Sequence, residues 1–263
     1  MGTLGNINTK FYSNRVELLQ DNLIRFHRVH SWEVDSEQID TFSRFWSLAF
    51  IDCNISKISV LHNGQEINLI GKQVIFIPSF SLVKWKIKSA DLKWVGYFSD
   101  TPISDIGFYE PIAFKWIDEH LPNSILEIRT LLKSANDVRP IGVNTNDILA
   151  KKLKHFIDKN YCNSISLQEI ASQFGYSKEC LIRHFKKSFG ISPIQYRIKL
   201  RIAEAIVNLM TETMTVSQVA HNLGFNDISF FNKVFKREMK ATPSNFQLRY
   251  KNKSTVNVYN QLI

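Results

Sequence analysis

The sequence predicts an α+β protein of two domains: an N-terminal antiparallel β barrel with flanking helices, then an all-α domain. Three observations carry this. Short β-branched and aromatic runs separated by turn residues fill about 45–99, whereas capped amphipathic stretches fill the chain from about residue 147. Charge divides the same way: residues 151–263 hold 18 Lys/Arg against 7 Asp/Glu, a balance of +11, and residues 1–150 hold 15 against 17, a balance of −2. A length of 263 residues with 44% hydrophobic side chains supports two buried cores and excludes a disordered chain.

Residues 1–30 are polar and read as irregular, with a strand about Leu23–His30. Strands are expected at Trp46–Ile51, Lys57–His62, Gln65–Leu69, Gln73–Pro78, Leu82–Lys88 and Leu92–Phe98. Asn63-Gly64 is a two-residue hairpin signal, and Ile70-Gly71-Lys72 reads as the next turn. Six short strands of this kind suit a small barrel or sandwich. From Pro111 the pattern turns helical, with one short helix over Ile112–His120 and a second over Ser124–Ser134. The second carries a stripe of Ile125, Ile128, Leu131 and Leu132, which either covers the barrel or serves self-association. The domain is bounded at 1–135, with flanking helices at about 111–134, and a turn-rich linker follows at 136–146.

A helical domain is expected over 147–252, with a tail at 253–263. Asn146 or Asp147 caps a basic helix over Ile148–Asn160, whose apolar stripe is Leu149, Leu153, Phe156 and Ile157. Beyond it the chain writes one helix-turn-helix unit twice, at 166–189 and 215–239. Leu167, Ile170, Ala171, Phe174 and Gly175 match Val216, Val219, Ala220, Leu223 and Gly224 at an offset of 49. After the glycines the offset becomes 50, pairing Phe185-Lys186-Lys187 with Phe235-Lys236-Arg237 and Ser192-Pro193 with Thr242-Pro243.

Each copy opens on a capping box, Ser166-x-x-Glu169 and Thr215-x-x-Gln218, and a glycine closes its first helix. Ser177 caps the second helix of the first copy, and Asn226 or Asp227 that of the second. Leu181, Phe185 and Phe189, or Phe231, Phe235 and Met239, then face inward. Lys178, Glu179, Ile182, Arg183 and Lys187 remain on the outer face of one helix, and Ile228, Ser229, Asn232, Lys233 and Arg237 on the other. These are candidate recognition helices for major grooves. Between the copies, Ser192-Pro193-x-Gln195 opens a helix running to about Leu209 with a stripe of Tyr196, Leu200, Ala203, Ile206 and Val207. It spaces the two units and carries Arg197, Lys199 and Arg201 toward the phosphates between grooves.

The spaced residues Leu167-x-x-Ile170-Ala171-x-x-Phe174-Gly175, Arg201-Ile202-Ala203-Glu204-Ala205 and Val219-Ala220-x-x-Leu223-Gly224-Phe225 resemble the DNA-binding domain of the AraC/XylS family of bacterial transcription regulators. Phe230-Phe231-x-x-x-Phe235-Lys236 and Thr242-Pro243-Ser244-x-Phe246 extend the match to about 85 residues. Lys240 stands where that family usually has glycine, which implies a strained or a different turn at the helix end. Ile228 stands where a polar side chain is common; it either meets a thymine methyl or packs. Given this match, Gly71-Lys72-Gln73-Val74-Ile75-Phe76-Ile77-Pro78 resembles the cupin-like sensor domain of many such regulators.

The resemblance implies a sequence-specific DNA-binding transcription regulator, an activator rather than an enzyme. Its expected partners are double-stranded DNA, RNA polymerase, a small effector and a second copy of the chain. Phosphate contacts fall to Lys178, Lys187, Arg197 and Lys236, and base contacts to Glu179, Ile182, Arg183, Ser229 and Lys233, with Ile228 and Arg237 also counted on the DNA-binding faces. Trp46, Phe76, Trp85, Trp94 and Phe98 either fill the barrel core or line an apolar effector cavity. A rival reading has the N-terminal domain bind no small molecule and answer to a protein partner or to abundance. A third fuses a cupin enzyme to a DNA-binding module, which the sequence disfavours: His27, His30, His62 and His120 are scattered, so no metal and no cofactor is expected. Cys53, Cys162 and Cys180 show no ligand spacing. With no signal segment and apolar runs too short to span a bilayer, no membrane role and a cytoplasmic location are expected.

Overall fold

A computed structural model describes residues 2–8, 12–117, 119–211 and 213–254. The described chain divides between Val143 and Asn144: one unit comprises the described residues up to Val143, with which 249–254 are grouped, and the other comprises Asn144–Leu248.

The first unit is an antiparallel half-barrel of ten strands, so the expected class holds. They are β1 (Gly2–Asn8), β2 (Tyr12–Leu18), β3 (Ile24–Trp32), β4 (Ser36–Asp40), β5 (Trp46–His62), β6 (Gln65–Ile77), β7 (Val83–Ile87), β8 (Ala90–Ser99), β9 (Ile112–Lys115) and β10 (Arg139–Pro140). Their spatial order is β1-β2-β3-β8-β5-β6-β9-β10, with β7 bridging β4 and β5. Four expected strands are in fact two long ones. Trp46–Ile51 and Lys57–His62 merge into β5, and Gln65–Leu69 and Gln73–Ile77 merge into β6. Asn63 and Gly64, both at positive φ (49° and 80°), make the tight turn between them, as the primed hairpin turn requires. Gly71 corrects the sequence expectation: at φ 74° it lies inside β6, where the register shifts between Cys53 and Ile58, rather than in a turn. The shift bends the hairpin, so β5 pairs with β8 through Trp46–Ile51 and with β7 through Ile58–Val60.

The described residues of 1–30 are likewise not irregular but hold two strands and most of a third. Polar residues are buried here because they are paired. The Glu17 carboxylate takes Arg25 Nε and Nη2 at 2.7 Å each, and Arg25 Nη1 reaches Asn123 Oδ1 at 2.9 Å.

Successive residues of β6 enter opposite cores, because side chains alternate across a strand. Val74 and Phe76 join Trp46, Leu48, Phe50, Tyr97 and Ile112, whereas Ile75 and Ile77 join Ile58, Val60, Val83 and Ile87. The first core is closed by α1 (Ile125–Lys133), capped by Ser124 Oγ on Glu127 N at 3.2 Å. Ile128 and Leu132 are 0% and 1% exposed. Ile125, Ile128 and Leu132 of the stripe thus pack on the sheet, with Leu131 partly buried beside them. Burying each such side chain contributes about 1.5–3 kcal/mol. Ile112–Lys115, expected as helix, is strand β9, paired with β6. Part of the expected linker also belongs to this unit, since β10 pairs with β9, Ile141 is fully buried and Val143 N donates to Leu82 O at 2.9 Å.

The second unit is helical: α2 (Ile148–Asn160), α3 (Leu167–Phe174), α4 (Lys178–Phe189), α5 (Pro193–Thr211), α6 (Val216–Asn222), α7 (Ile228–Met239) and, as far as Leu248, α8 (Pro243–Ser254). Of the expected tail at 253–263, residues 255–263 lie outside the described residues. Among the described residues no helix is long and apolar enough to cross a membrane.

Candidate nucleic-acid interface

Both helical pairs are built from the same local rules. Ser166 Oγ accepts Glu169 N at 3.1 Å while Glu169 Oε2 accepts Ser166 N at 2.7 Å, so the capping box of α3 is complete. Thr215 and Gln218 repeat it on α6 at 3.2 and 2.8 Å. Gly175 and Gly224 then take φ of 71° and 76°, turning the chain toward the second helix of each pair. Ser177 Oγ caps α4 through Cys180 N at 3.1 Å, and Asp227 Oδ1, rather than Asn226, caps α7 through Ser229 N at 2.8 Å.

Beneath each second helix lies an aromatic core. Leu181, Phe185 and Phe189 are buried, with Phe185 against Phe189 and Tyr196 at 4.7 and 5.6 Å between ring centroids. Phe231 and Phe235 are fully buried in the second unit, and Phe235 meets Phe246 of α8 at 5.4 Å. With these stripes inward, the opposite faces turn out. Glu179, Arg183 and Lys187 are exposed on α4, with Lys178 and Ile182 half-buried beside them. Ile228, Ser229, Asn232, Lys233, Lys236 and Arg237 are all exposed on α7. Arg237 is occupied by its neighbour Glu238 at 2.9 Å. Lys186, which was not singled out from the sequence, is exposed too, as are Tyr176 and Phe230 at 50% and 45%.

The central helix departs from expectation. Arg201 does not face outward: it is 7% exposed and donates to three carbonyls, Tyr161 O at 2.6 Å, Gly224 O at 2.7 Å and Asn163 O at 2.9 Å. Its guanidinium also sits 5.3 Å from the Phe225 ring centroid. Burial lowers its pKa to about 10, still leaving it charged at neutral pH. Arg201 therefore ties the end of α2 to the turn of the second unit. Gly224 permits this closeness, because a Cβ there would lie 2.1 Å from Cys162 O. Arg197 is half-buried and donates Nη1 to Ile165 O; burial holds its pKa below the ordinary arginine value. Lys199 Nζ is 3.7 Å from Glu238 Oε2. Arg201 and Arg197 thus donate to main-chain carbonyls, and Lys199 lies beside Glu238. A second brace joins α2 to α4: Asp147 caps α2 through Ala150 N at 2.9 Å, and its other oxygen meets His184 Nδ1 at 2.7 Å.

The five aromatics offered for an effector cavity are dispersed. Trp46 and Phe76 are buried together, 6.4 Å apart, in the core that α1 covers, and Trp46 Nε1 donates to Thr101 O. Trp85 and Trp94 flank the other core, and Phe98 packs on Phe26 and Phe45 at 5.9 and 6.1 Å. The structure thus gives them packing roles. A cleft of about 470 Å³ lies beside the core that α1 covers, lined by Asp21, Asn22, Thr101, Ile125, Leu126 and Arg129 and by none of the five aromatics. Among the described residues no group of three His, Cys, Asp or Glu could hold a metal ion.

Two capped helix pairs on one central helix define the class: a double helix-turn-helix domain. Residues 170–249 match the family described as a helix-turn-helix domain. The protein named uncharacterized HTH-type transcriptional regulator YdiP, from Escherichia coli (strain K12), is 28% identical over 111 residues, covering 42% of this chain and 37% of that protein. The HTH-type transcriptional activator RhaS of Mannheimia succiniciproducens is 27% identical over 135 residues, 50% of each chain. The chain thus spans half or less of the length of these relatives. The solved structure of ToxT from Vibrio cholerae is 13% identical and aligns over 91% of this chain and 99% of its own, with a TM-score of 0.49. Residues 170–249 of the C-terminal unit thus carry a helix-turn-helix domain.

Proposed function

We propose that this chain is a sequence-specific DNA-binding transcription regulator that activates transcription, with α4 and α7 entering major grooves. One observation carries the reading: two helices in the same capped frame each expose a polar face with several cations, in a chain half with a balance of +11. Lys178, Lys187 and Lys236 position the protein on phosphates, and Glu179, Ile182, Arg183, Ile228, Ser229 and Lys233 meet base edges. Arg197, whose Nη1 donates to Ile165 O ahead of α3, is bound within the fold rather than a free phosphate ligand. Activation implies contact with RNA polymerase, and the name of the RhaS relative supports that direction.

The N-terminal half-barrel is the regulatory unit. The dispersal of Trp46, Phe76, Trp85, Trp94 and Phe98 between separate packed clusters favours control by a protein partner, a second copy or abundance over an aromatic-lined effector cavity. The test is fluorescence anisotropy of the purified chain on fragments from upstream of its own gene, repeated with sugars, aromatic acids and fatty acids. Sequence-dependent complexes unmoved by the panel are expected. Complexes blind to sequence would refute regulation, and a complex altered by one compound would restore an effector.

A further inference from the structure

Overlaying the two outer helices at their offset of 50 pairs Lys178 with Ile228, Glu179 with Ser229, Ile182 with Asn232 and Arg183 with Lys233. These are the first, second, fifth and sixth residues after the caps Ser177 and Asp227. The scaffold below is shared, since Leu181 and Phe185 are buried where Phe231 and Phe235 are. The chemistry above is not shared. On α4, Glu179 and Arg183 stand at i, i+4 on one stripe, both exposed; on α7, Ile228 and Asn232 do the same.

Base edges distinguish these pairs. Guanine offers two acceptors, N7 and O6, which fit the guanidinium fork of Arg183, and its partner cytosine offers an N4 donor that fits the Glu179 carboxylate. Adenine offers an acceptor beside a donor, which only a carboxamide such as that of Asn232 matches with two complementary bonds, and thymine adds a methyl. Ile228 is 41% exposed at the helix start, so it does not simply pack into the core. An aliphatic side chain held out on this face gains when an apolar group covers it, and in the major groove that group is the thymine methyl. Lys233 occupies the Arg183 position with a flexible point charge, which a phosphate satisfies as well as a base.

We infer that the two units read different base chemistry: α4 a G·C pair through Arg183 and Glu179, and α7 an A·T step through Asn232 and Ile228. The target is then a bipartite duplex whose G·C-reading and A·T-reading parts lie about one helical turn apart. This rests on the proposed function, because it assigns bases to faces taken there to enter major grooves.

The experiment is selection from a random duplex pool with the full chain, followed by titrations of the selected duplex carrying base analogues. Replacing the key guanine by 7-deazaguanine removes N7 and should weaken the wild type roughly fivefold to tenfold, while leaving Arg183→Ala indifferent to the change. Replacing the key thymidine by deoxyuridine removes only the methyl and should weaken the wild type about threefold to fourfold, with Ile228→Ala indifferent and Asn232→Ala still responsive. All three positions are on the surface, and circular dichroism of each variant confirms that it is folded. A motif in which no thymine methyl matters, or in which the analogue effects belong to the other unit, overturns the inference and leaves the proposed function standing. Enrichment of no motif overturns both.

Discussion

The outer faces of α4 and α7 differ from the helix interiors by a few side chains whose roles separate in binding data. Arg183→Ala should cost about 1–3 kcal/mol at one base pair and relax discrimination there, whereas Lys187→Ala should weaken all sequences alike and lower the salt slope by about 1. Titrations on a matched and a mismatched duplex at several salt concentrations separate the two, and identical behaviour of the variants would contradict the assignment. Arg201 acts differently. Arg201→Met removes the donor shared by three carbonyls of half-buried or exposed residues, and chemical denaturation should show a loss of about 1–3 kcal/mol. A loss under ~1 kcal/mol would mean that the carbonyls find other donors. From the sequence Arg201 looked like Arg183, a cation on a helix. Only the positions of Tyr161, Asn163 and Gly224 in space tell the two apart, and that information is tertiary.

At the scale of elements, the capped helices were legible and several strands were not. Caps and the glycine turn are local signals, so α2, α3, α4, α6 and α7 lie where Asp147, Ser166, Ser177, Thr215 and Asp227 put them. β2 escaped because Asn14 and Glu17 are buried polar residues, which erases the alternation a half-buried strand shows. β9 escaped because Ile112, Ala113 and Phe114 are buried on both faces, and a short apolar run has no period. The expected turn at Gly71 was a true signal of positive φ, but a bulge uses the same conformation as a turn.

The strained end of α7 was also legible. Lys240 has φ 55°, in the left-handed region where Gly190 ends α4 at 78°. Lys240→Gly should stabilise the domain by about 0.5–1 kcal/mol, the relief of left-handed strain less the added freedom of the unfolded chain; a lower melting temperature would contradict this. Asp147 makes the α2–α4 brace pH-dependent. Burial pushes its carboxyl up, but the Ala150 amide and His184 outweigh burial and hold it below the ordinary carboxylate value. A depressed folded pKa means that the contribution is complete above the unfolded value of about 3.9 and is lost as pH falls through the folded one. Asp147→Asn keeps a capping oxygen and removes the charge. Its melting-temperature deficit should hold steady above about pH 5 and shrink below about pH 4; a deficit that grows in acid would reverse the sign.

Over the whole molecule, the division of labour follows the division of charge. The half with a balance of +11 carries the helical unit, and the half with −2 carries the half-barrel. That asymmetry was visible in the sequence, as was the antiparallel class of the first unit. The division of the sheet's side chains into two cores was not, because one register step decides which face each aromatic occupies. Trp46 and Trp94 consequently pack in different clusters. Non-specific attraction to phosphate follows from net charge alone, so binding as such does not test regulation. The decisive measurement is the ratio of affinities for a selected duplex and its scrambled counterpart across a salt series. Regulation by base reading predicts that both affinities fall with salt while the selected duplex stays at least ~10³-fold tighter. Equal affinities at every salt concentration would contradict it and leave a cationic surface that coats any duplex.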